Sequence, residues 1–317
     1  MTDITALGEL LVDFTPAGLS PAGYPLFEQN PGGAPPNLLA AAAKQGLSTT
    51  FIGKVGNDIN GRFLKGAMER AGISTAGLVM DPAAVTSLAF VALDDSGERE
   101  FSFVRDPGAD TLLRPNELDQ QLLRNTKVFH VGSISLSAEP SRSSTWQALI
   151  TAKSAGAVVS YDPNYRASLW ADDAAACDQI RSILPIVDII KLSENELPFA
   201  AGIDDVDTAI KVLRREGVSL IAITLGEEGA VVAAGDQQRH VPAFPRRAVD
   251  TTGAGDAFFG GFLSEFVKSG KSVYDVTIED AARFARVGCA TSSLCVGRRG
   301  GMPSMPSMEE ITALLNG

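Results

Sequence analysis

Histidine is nearly absent from this sequence: His130 and His240 are the only two among 317 residues. Cysteine is scarce as well, and Cys177, Cys289 and Cys295 form an odd set with no C-x-x-C spacing. A zinc site is therefore not expected, and the thiols point to a reducing compartment, the cytoplasm. Positive charge is in deficit, with Lys+Arg 27 against Asp+Glu 38 and a formal net charge of -11. The basic residues are scattered, so the concentrated positive surface that a nucleic acid requires is missing. No apolar run approaches the roughly 18 to 20 residues that span a bilayer. The opening MTDITALGELLVDF has no basic segment ahead of its apolar stretch, unlike a secretory signal. Neither a nucleic acid nor a membrane is an expected partner. Two nucleotide-binding motifs are also missing: there is no G-x-x-x-x-G-K-[ST] loop, and no G-x-G-x-x-G follows the first strand-like segment.

Apolar residues are plentiful, at 45% of the chain, enough for a large core. Short β-branched runs recur at Val128 to Val131, Ala157 to Tyr161, Val187 to Lys191 and Leu220 to Leu225. Helix-length segments of mixed apolar and charged residues lie between or after them, at Pro140 to Ala155, Ala174 to Leu184 and Val206 to Glu216. This alternation predicts an α/β fold with a mostly parallel central sheet and helices on both faces. Two stretches break the pattern. Residues 12 to 31 are rich in proline and glycine, and residues 86 to 105, TSLAFVALDDSGEREFSFVR, read as a hairpin turning at Asp95-Ser96-Gly97. Together they predict a small antiparallel β-sheet lid, from segments at about 12–31 and 86–106, on a single domain spanning 1–317. Ordinary surface loops and an edge hairpin would give the same pattern.

The most informative segment is Asp250-Thr251-Thr252-Gly253-Ala254-Gly255-Asp256, followed by AFFGGFLSEFVKSG. Phe258, Phe262 and Phe266 recur every four residues, while Ala257, Gly260, Gly261 and Ser264 leave another face free for close packing. A helix starting near Gly255 would expose unpaired N–H groups where a phosphate can approach, with the helix dipole favouring its charge. A carboxylate beside such an anion hole repels a phosphate, but it suits a base for an incoming hydroxyl, so Asp256 points to phosphoryl transfer. The plainer alternative is that Asp256 interacts with its own helix terminus and the glycines make a tight turn.

DTTGAGDAFFGGFL resembles the C-terminal signature of the ribokinase and phosphofructokinase-B family of carbohydrate kinases. PGGAPPNLLAAAAKQG, from Pro31 to Gly46, resembles that family's N-terminal glycine-rich signature, with FIGKVGNDINGRF after it. The resemblance covers nearly the whole chain and implies a ribokinase-like fold, ATP as phosphate donor, Mg2+, and in many members a K+ ion. Asp256 then stands as the base, with Gly253, Ala254 and Gly255 as the anion hole.

Gly32 and Gly33 leave backbone open to a polyhydroxy ligand, and Asn37 offers both donor and acceptor, although a tight turn and a helix cap would explain them too. Asp13 matches the family's sugar-binding carboxylate. Phe103 and Arg105 share one strand face and can close over a sugar, or Arg105 can make an edge-strand salt bridge. Arg105 to Asp110 and the DPN-x-R segment Asp162 to Arg166 resemble fructokinases, with Arg166 toward substrate and Asn164 toward the nucleotide; an internal Asp-Arg pair is the alternative. Lys191-Leu-Ser-Glu-Asn-Glu196 occupies the place of the family's N-x-x-E motif, which organises magnesium through water. Glu196 carries over; Ser193 replaces the usual asparagine. Thr224, Gly226 and Gly229 resemble the nucleotide-phosphate turn, or a plain hairpin turn. Ala285, Gly288 and Cys289, on a helix from Glu279 to Leu294, are small enough to admit adenine or simply to pack helices. Asp250, Thr252, Cys295, Arg298, Gly300 and Ser304 resemble the monovalent-cation loop, with Arg298 otherwise a solvated charge.

The resemblance implies phosphorylation of D-fructose to fructose 6-phosphate, with 2-keto-3-deoxygluconate, ribose or a nucleoside as the alternative acceptor. A non-catalytic sugar- or nucleotide-binding regulator is the reading from another class. Lid edges invite pairing of two chains into a homodimer.

Overall fold

The computed structural model describes residues 1–93, 99–105 and 107–317. Nine strands form the large sheet: β1 Thr2–Leu7, β4 Thr49–Gly56, β5 Ile73–Asp81, β8 Thr126–Gly132, β9 Val158–Asp162, β10 Ile189–Ser193, β11 Leu220–Thr224, β12 Ala230–Ala234 and β13 Gln237–Val241. Their order is β13-β12-β11-β10-β9-β8-β1-β4-β5, parallel from β5 through β11, with β12 and β13 antiparallel at one edge.

Away from the edge strands β5 and β13 the strands are buried on both faces, and alternation assigns their residues to one of two cores. Ile189, Leu220 and Ala222 join Leu38, Phe258, Phe262 and Phe284 on one side. Ile190, Leu192, Ile221 and Ile223 join Leu149, Ile180 and Ile210 on the other. The first side is covered by helices Ala34–Lys44, Ala254–Ser269 and Ile278–Val296, the second by Ser141–Ser154, Asp173–Ser182 and Val206–Arg215. The face left open by small residues in the Ala254–Ser269 helix is filled by its neighbours. A Cβ on Gly260 would sit 2.6 Å from Ala41 Cβ, and one on Gly261 would sit 2.5 Å from Thr291 Oγ1. Among the described residues, no helix is long and apolar enough to cross a membrane.

The two irregular stretches do form a second sheet, ordered β3-β2-β6-β7, from β2 Leu11–Leu19, β3 Pro25–Gly32, β6 Leu88–Leu93 and β7 Arg99–Val104. It is mixed rather than antiparallel as expected, because β2 and β6 run parallel, Val12 opposite Leu88. The two hairpins enter it from the same direction off the large sheet. The turn expected at Asp95-Ser96-Gly97 lies outside the described residues.

Candidate active site

Two cavities open at the carboxyl ends of the parallel strands, where open α/β sheets place ligands. One, of about 640 Å³, lies between the two sheets, and the other, of about 720 Å³, lies over the Ile278–Val296 helix. They share Thr224, Gly226, Thr251, Ala254 and Gly255, so they meet at the start of the Ala254–Ser269 helix.

That helix begins one residue earlier than expected, because Gly253 takes a φ of 77° at its N-cap. A side chain is disfavoured there by conformation alone. The Ala254 N–H is taken by the Thr251 carbonyl at 3.2 Å, so Ala254 contributes wall rather than a donor to the expected anion hole. Gly255 is bare for a packing reason: a Cβ on it would stand 2.9 Å from the Nζ of Lys191.

Asp256 is buried in the first turn, and its Oδ2 accepts a hydrogen bond from Asn37 Nδ2 at 2.9 Å. Asn37, expected to hold sugar, thus also holds this carboxylate. Burial, then the nearby Asp162 carboxylate, pushes the Asp256 pKa up to about 7 against the opposing pull of Asn37, Lys191 and Arg166. A carboxylate titrating near neutrality is poised to accept a proton.

Asp13, Gly33, Asn37 and Phe103 all line the 640 Å³ cavity. Gly32 does not; a Cβ there would fall 2.1 Å from Asp13 Oδ2, so it makes room for that carboxylate. Arg105 is also outside the lining. Its Nε donates to Asp110 Oδ2 at 2.8 Å, and its Nη2 pairs with the same oxygen at 2.6 Å, at the foot of the small sheet. The structure therefore gives the salt bridge and not the direct cavity contact. Asn164 and Arg166 reach the cavity, Asn164 with a φ of 45° and its N–H on Asp162 Oδ1 at 3.1 Å. The internal Asp-Arg alternative fails because Asp162 pairs with Lys191 instead, at 2.9 Å.

Ser193 and Glu196 line the same cavity. Glu196 Oε2 accepts from the Ser193 N–H at 2.7 Å and from its Oγ at 2.8 Å, and Oε1 accepts from the Tyr165 N–H at 2.8 Å. The carboxylate ties two loops together. Among the described residues, no group of three or more His, Cys, Asp or Glu side chains is placed to hold an ion. A divalent cation here would draw most of its oxygen ligands from phosphates and water, as magnesium does.

Thr224 and Gly226 border both cavities and Gly229 borders the larger one. They also form the hairpin turn between β11 and β12, closed by Leu225 N–H on the Gly229 carbonyl at 2.8 Å. Of the three small residues expected around adenine, only Cys289 lines the larger cavity. Ala285 is in the core, and a Cβ on Gly288 would strike the Phe258 carbonyl at 2.7 Å, so both serve helix packing. The cavity is lined one turn further along, by Ser292, Ser293 and Val296, opposite Phe244. Arg286 stacks on that ring, 3.7 Å from its centroid.

Behind the helix terminus, Asp250 accepts N–H donors from Thr252 at 2.8 Å and Gly300 at 3.0 Å. Cys295 Sγ lies 3.0 Å from Ser304 Oγ and 3.8 Å from the Thr252 carbonyl. Arg298 departs from this group, because its guanidinium pairs with Glu310.

Glu9 and Lys191 border the cavity and Asp162 lies behind Lys191; all three are buried, and none was given a catalytic or binding role from sequence. Glu9 accepts the Ala34 N–H on Oε1 at 2.8 Å, and burial raises its pKa to about 7. Lys191 and Asp162 form the ion pair beside Asp256. Their one signal was a charge inside an apolar run, as in ELL, SYD and IIKL.

A buried carboxyl of raised pKa in the first turn of a helix, with a polar cavity on one side and a more apolar one on the other, is an arrangement suited to phosphoryl transfer to a small polar acceptor. The profile of the pfkB family carbohydrate kinase matches residues 1–308. Fructokinase-1 of Oryza sativa subsp. japonica is 43% identical over 316 residues, covering 98% of this chain and 97% of the rice protein. The solved structure of Xylella fastidiosa fructokinase with bound ATP has a TM-score of 0.92 at 31% identity, covering 100% of this chain and 99% of that one. That of Vibrio cholerae O395 fructokinase, bound to fructose, ADP and a calcium ion, has a TM-score of 0.89 at 31% identity and covers 99% of each chain. The chain belongs to the pfkB family of carbohydrate kinases, and it is a sugar kinase with a ribokinase-like fold.

Proposed function

We propose that this kinase transfers the γ-phosphate of ATP to the 6-hydroxyl of D-fructose. The observation that carries the reading is the junction of the two cavities at Ala254 and Gly255, beside the raised carboxyl of Asp256. Asp13, Gly33, Asn37 and Arg166 supply the polar contacts of a polyhydroxy ligand, and Phe103 supplies an apolar face. ATP takes the cavity bordered by Thr224, Gly226, Gly229 and Cys289, with its phosphates toward Gly255. Asp256 accepts the hydroxyl proton as the oxygen attacks phosphorus and ADP leaves, while the helix-terminal N–H groups face the charge on the transferring oxygens.

Glu196, on the cavity wall, would hold a magnesium ion through water, and that ion would neutralise part of the charge of the nucleotide phosphates. The loops of Asp250, Thr252, Gly300 and Ser304 would hold a K+ ion, whose charge would help order the helix terminus. The whole chain works as one kinase domain, with 12–31 and 86–106 as its lid. Exposed Leu19, Tyr24, Leu26 and Phe27 on or beside the small sheet suit pairing of two lids in a homodimer. The free thiols of Cys177, Cys289 and Cys295 suit the cytoplasm.

The test is ATP consumption coupled to sugar-phosphate detection across fructose, 2-keto-3-deoxygluconate, ribose, glucose and adenosine, with magnesium, with and without potassium. Fructose is expected to give the highest kcat/KM, with phosphorus on its 6-oxygen by NMR. A preference for another sugar overturns the fructose assignment and leaves the Asp256 chemistry standing; ATP turnover with none of them removes the assignment of the acceptor cavity.

A further inference from the structure

The floor of the smaller cavity carries a cation that the reaction as described leaves without a task. Lys191 lies in the apolar strand β10 with only 5% of its surface exposed, and its Nζ is 2.9 Å from Asp162 Oδ2. It borders the cavity together with Gly253, Ala254, Gly255 and Asp256. The 2.9 Å from Nζ to a Cβ position on Gly255 puts the ammonium against the helix turn where the two cavities meet. An alanine at that position would fill the space the ammonium faces.

A buried ion pair is a poor way to stabilise a core, since an apolar pair of similar volume often does as well or better. Its placement at the cavity junction therefore calls for a use in chemistry. Burial opposes the charge of Lys191, but the carboxylates of Asp162 and Glu196, and then Asp256, outweigh that and raise its pKa, so it is an ammonium at neutral pH. Among the described residues His130 also feels this ammonium, and it is held neutral, pushed down to about 3 by burial and by Lys191. An ammonium has three donors, and the contact with Asp162 uses one.

We propose that Lys191 is a catalytic residue, its ammonium contacting the oxygens of the phosphoryl group in transfer, and that Asp162 is the positioning residue that keeps it there. The proposal rests on the sugar-kinase reading. As the new O–P bond forms, the hydroxyl proton goes to Asp256 and the electron pair of the breaking P–O bond leaves with ADP. Lys191 keeps its protons throughout and supplies fixed charge where negative charge shifts.

Lys191→Met is expected to lower kcat roughly 10²–10³-fold, the loss seen when one preorganised donor to transition-state charge is removed. KM for the sugar should change far less. Lys191→Arg should recover part of kcat. Because the methionine variant leaves Asp162 buried without its partner, Lys191→Met combined with Asp162→Asn, which buries no charge, is measured alongside. Calorimetric affinities for ATP and for ADP give a readout independent of turnover: the preference for ATP over ADP should fall at least several-fold in both methionine variants. A folded double variant, by circular dichroism, that keeps kcat within about threefold and the wild-type ATP/ADP ratio would overturn the proposal and leave the pair a structural one. A wild type that phosphorylates no sugar tells against the kinase reading instead, and the ATP/ADP ratio then still decides whether Lys191 meets the terminal phosphate.

Discussion

The smaller cavity has two walls built on different physics. The wall from the large sheet is fixed by buried polar bonds: Asn37 to Asp256, Lys191 to Asp162, and Glu196 to both Tyr165 and Ser193. The wall from the small sheet is thin. The last four residues of β2 and the first four of β3 are exposed, and Phe14 and Phe27 both pack on Phe90. It is held at its foot by Asp110, which takes Arg105 and also the Ser87 hydroxyl at 2.5 Å. On the proposed function, reaction geometry would reside in the wall tied by buried polar bonds, and the exposed wall would complete contact with the sugar.

The largest effect should come from the fixed wall. Asp256→Asn keeps the shape and removes the base, so kcat should fall by roughly 10²–10⁴-fold, the range for a general base, while calorimetry still detects sugar binding. The same variant tests the raised pKa through stability. The folded-state value near 7 lies above the ordinary 3.8. Between those values the folded protein retains a proton the unfolded chain has released, so this group's contribution to stability falls as pH rises through that window, the reverse of a paired carboxylate. The melting temperature of Asp256→Asn relative to wild type should accordingly be higher at pH 8 than at pH 5. A gap independent of pH would mean that the carboxyl is not perturbed in the folded state.

Asn37→Leu, of similar size, should sharpen the comparison. Asp256 loses the hydrogen bond that favours its charged form, so the acid limb of kcat/KM should move from near pH 7 to higher pH, with kcat at neutral pH down by roughly tenfold, as expected for a hydrogen bond to a charged group. An unmoved limb would restrict Asn37 to sugar contact.

The smallest effect belongs to the thin wall. Arg105→Met should raise KM for the sugar a few-fold and leave kcat within about twofold, because it loosens the foot of the small sheet without touching the base. If kcat instead falls as far as in Asn37→Leu, the division between the two walls is wrong.

The sequence made the architecture legible wherever one periodicity dominated. Ile189, Ile190, Leu220 and Ile221 read as buried strand, and Phe258, Phe262 and Phe266 as one helix face, because neighbours in sequence decide those patterns. The helix start that places Asp256 beside its glycines was legible for the same reason. Lys191 and Asp162 were not, since they are 29 residues apart and meet only through the parallel pairing of β9 with β10. Ala285 and Gly288 misled because a small residue serves a ligand or a helix contact equally, and only the rotation of the Ile278–Val296 helix distinguishes them. Arg105 looked like a cavity residue by strand alternation, but β7 ends at Val104 and the chain turns it toward Asp110. The parallel pairing of β2 with β6 was hidden because it joins two hairpins that are separate in sequence.

The shared border of the two cavities has a practical consequence for inhibition. Thr224, Gly226 and Gly255 belong to both, so no partition separates the two cavities, proposed for acceptor and donor. One molecule carrying a ketohexose at one end and an adenosine phosphate at the other, joined across Gly255, could fill both at once. Its second half would bind at an effective concentration of order millimolar for a short linker, so two weak ligands become one tight one. Compounds made for the nucleotide cavity alone compete with cellular ATP, whereas a bridging molecule must match this sugar as well, and selectivity between kinases of the same fold would come from its sugar end.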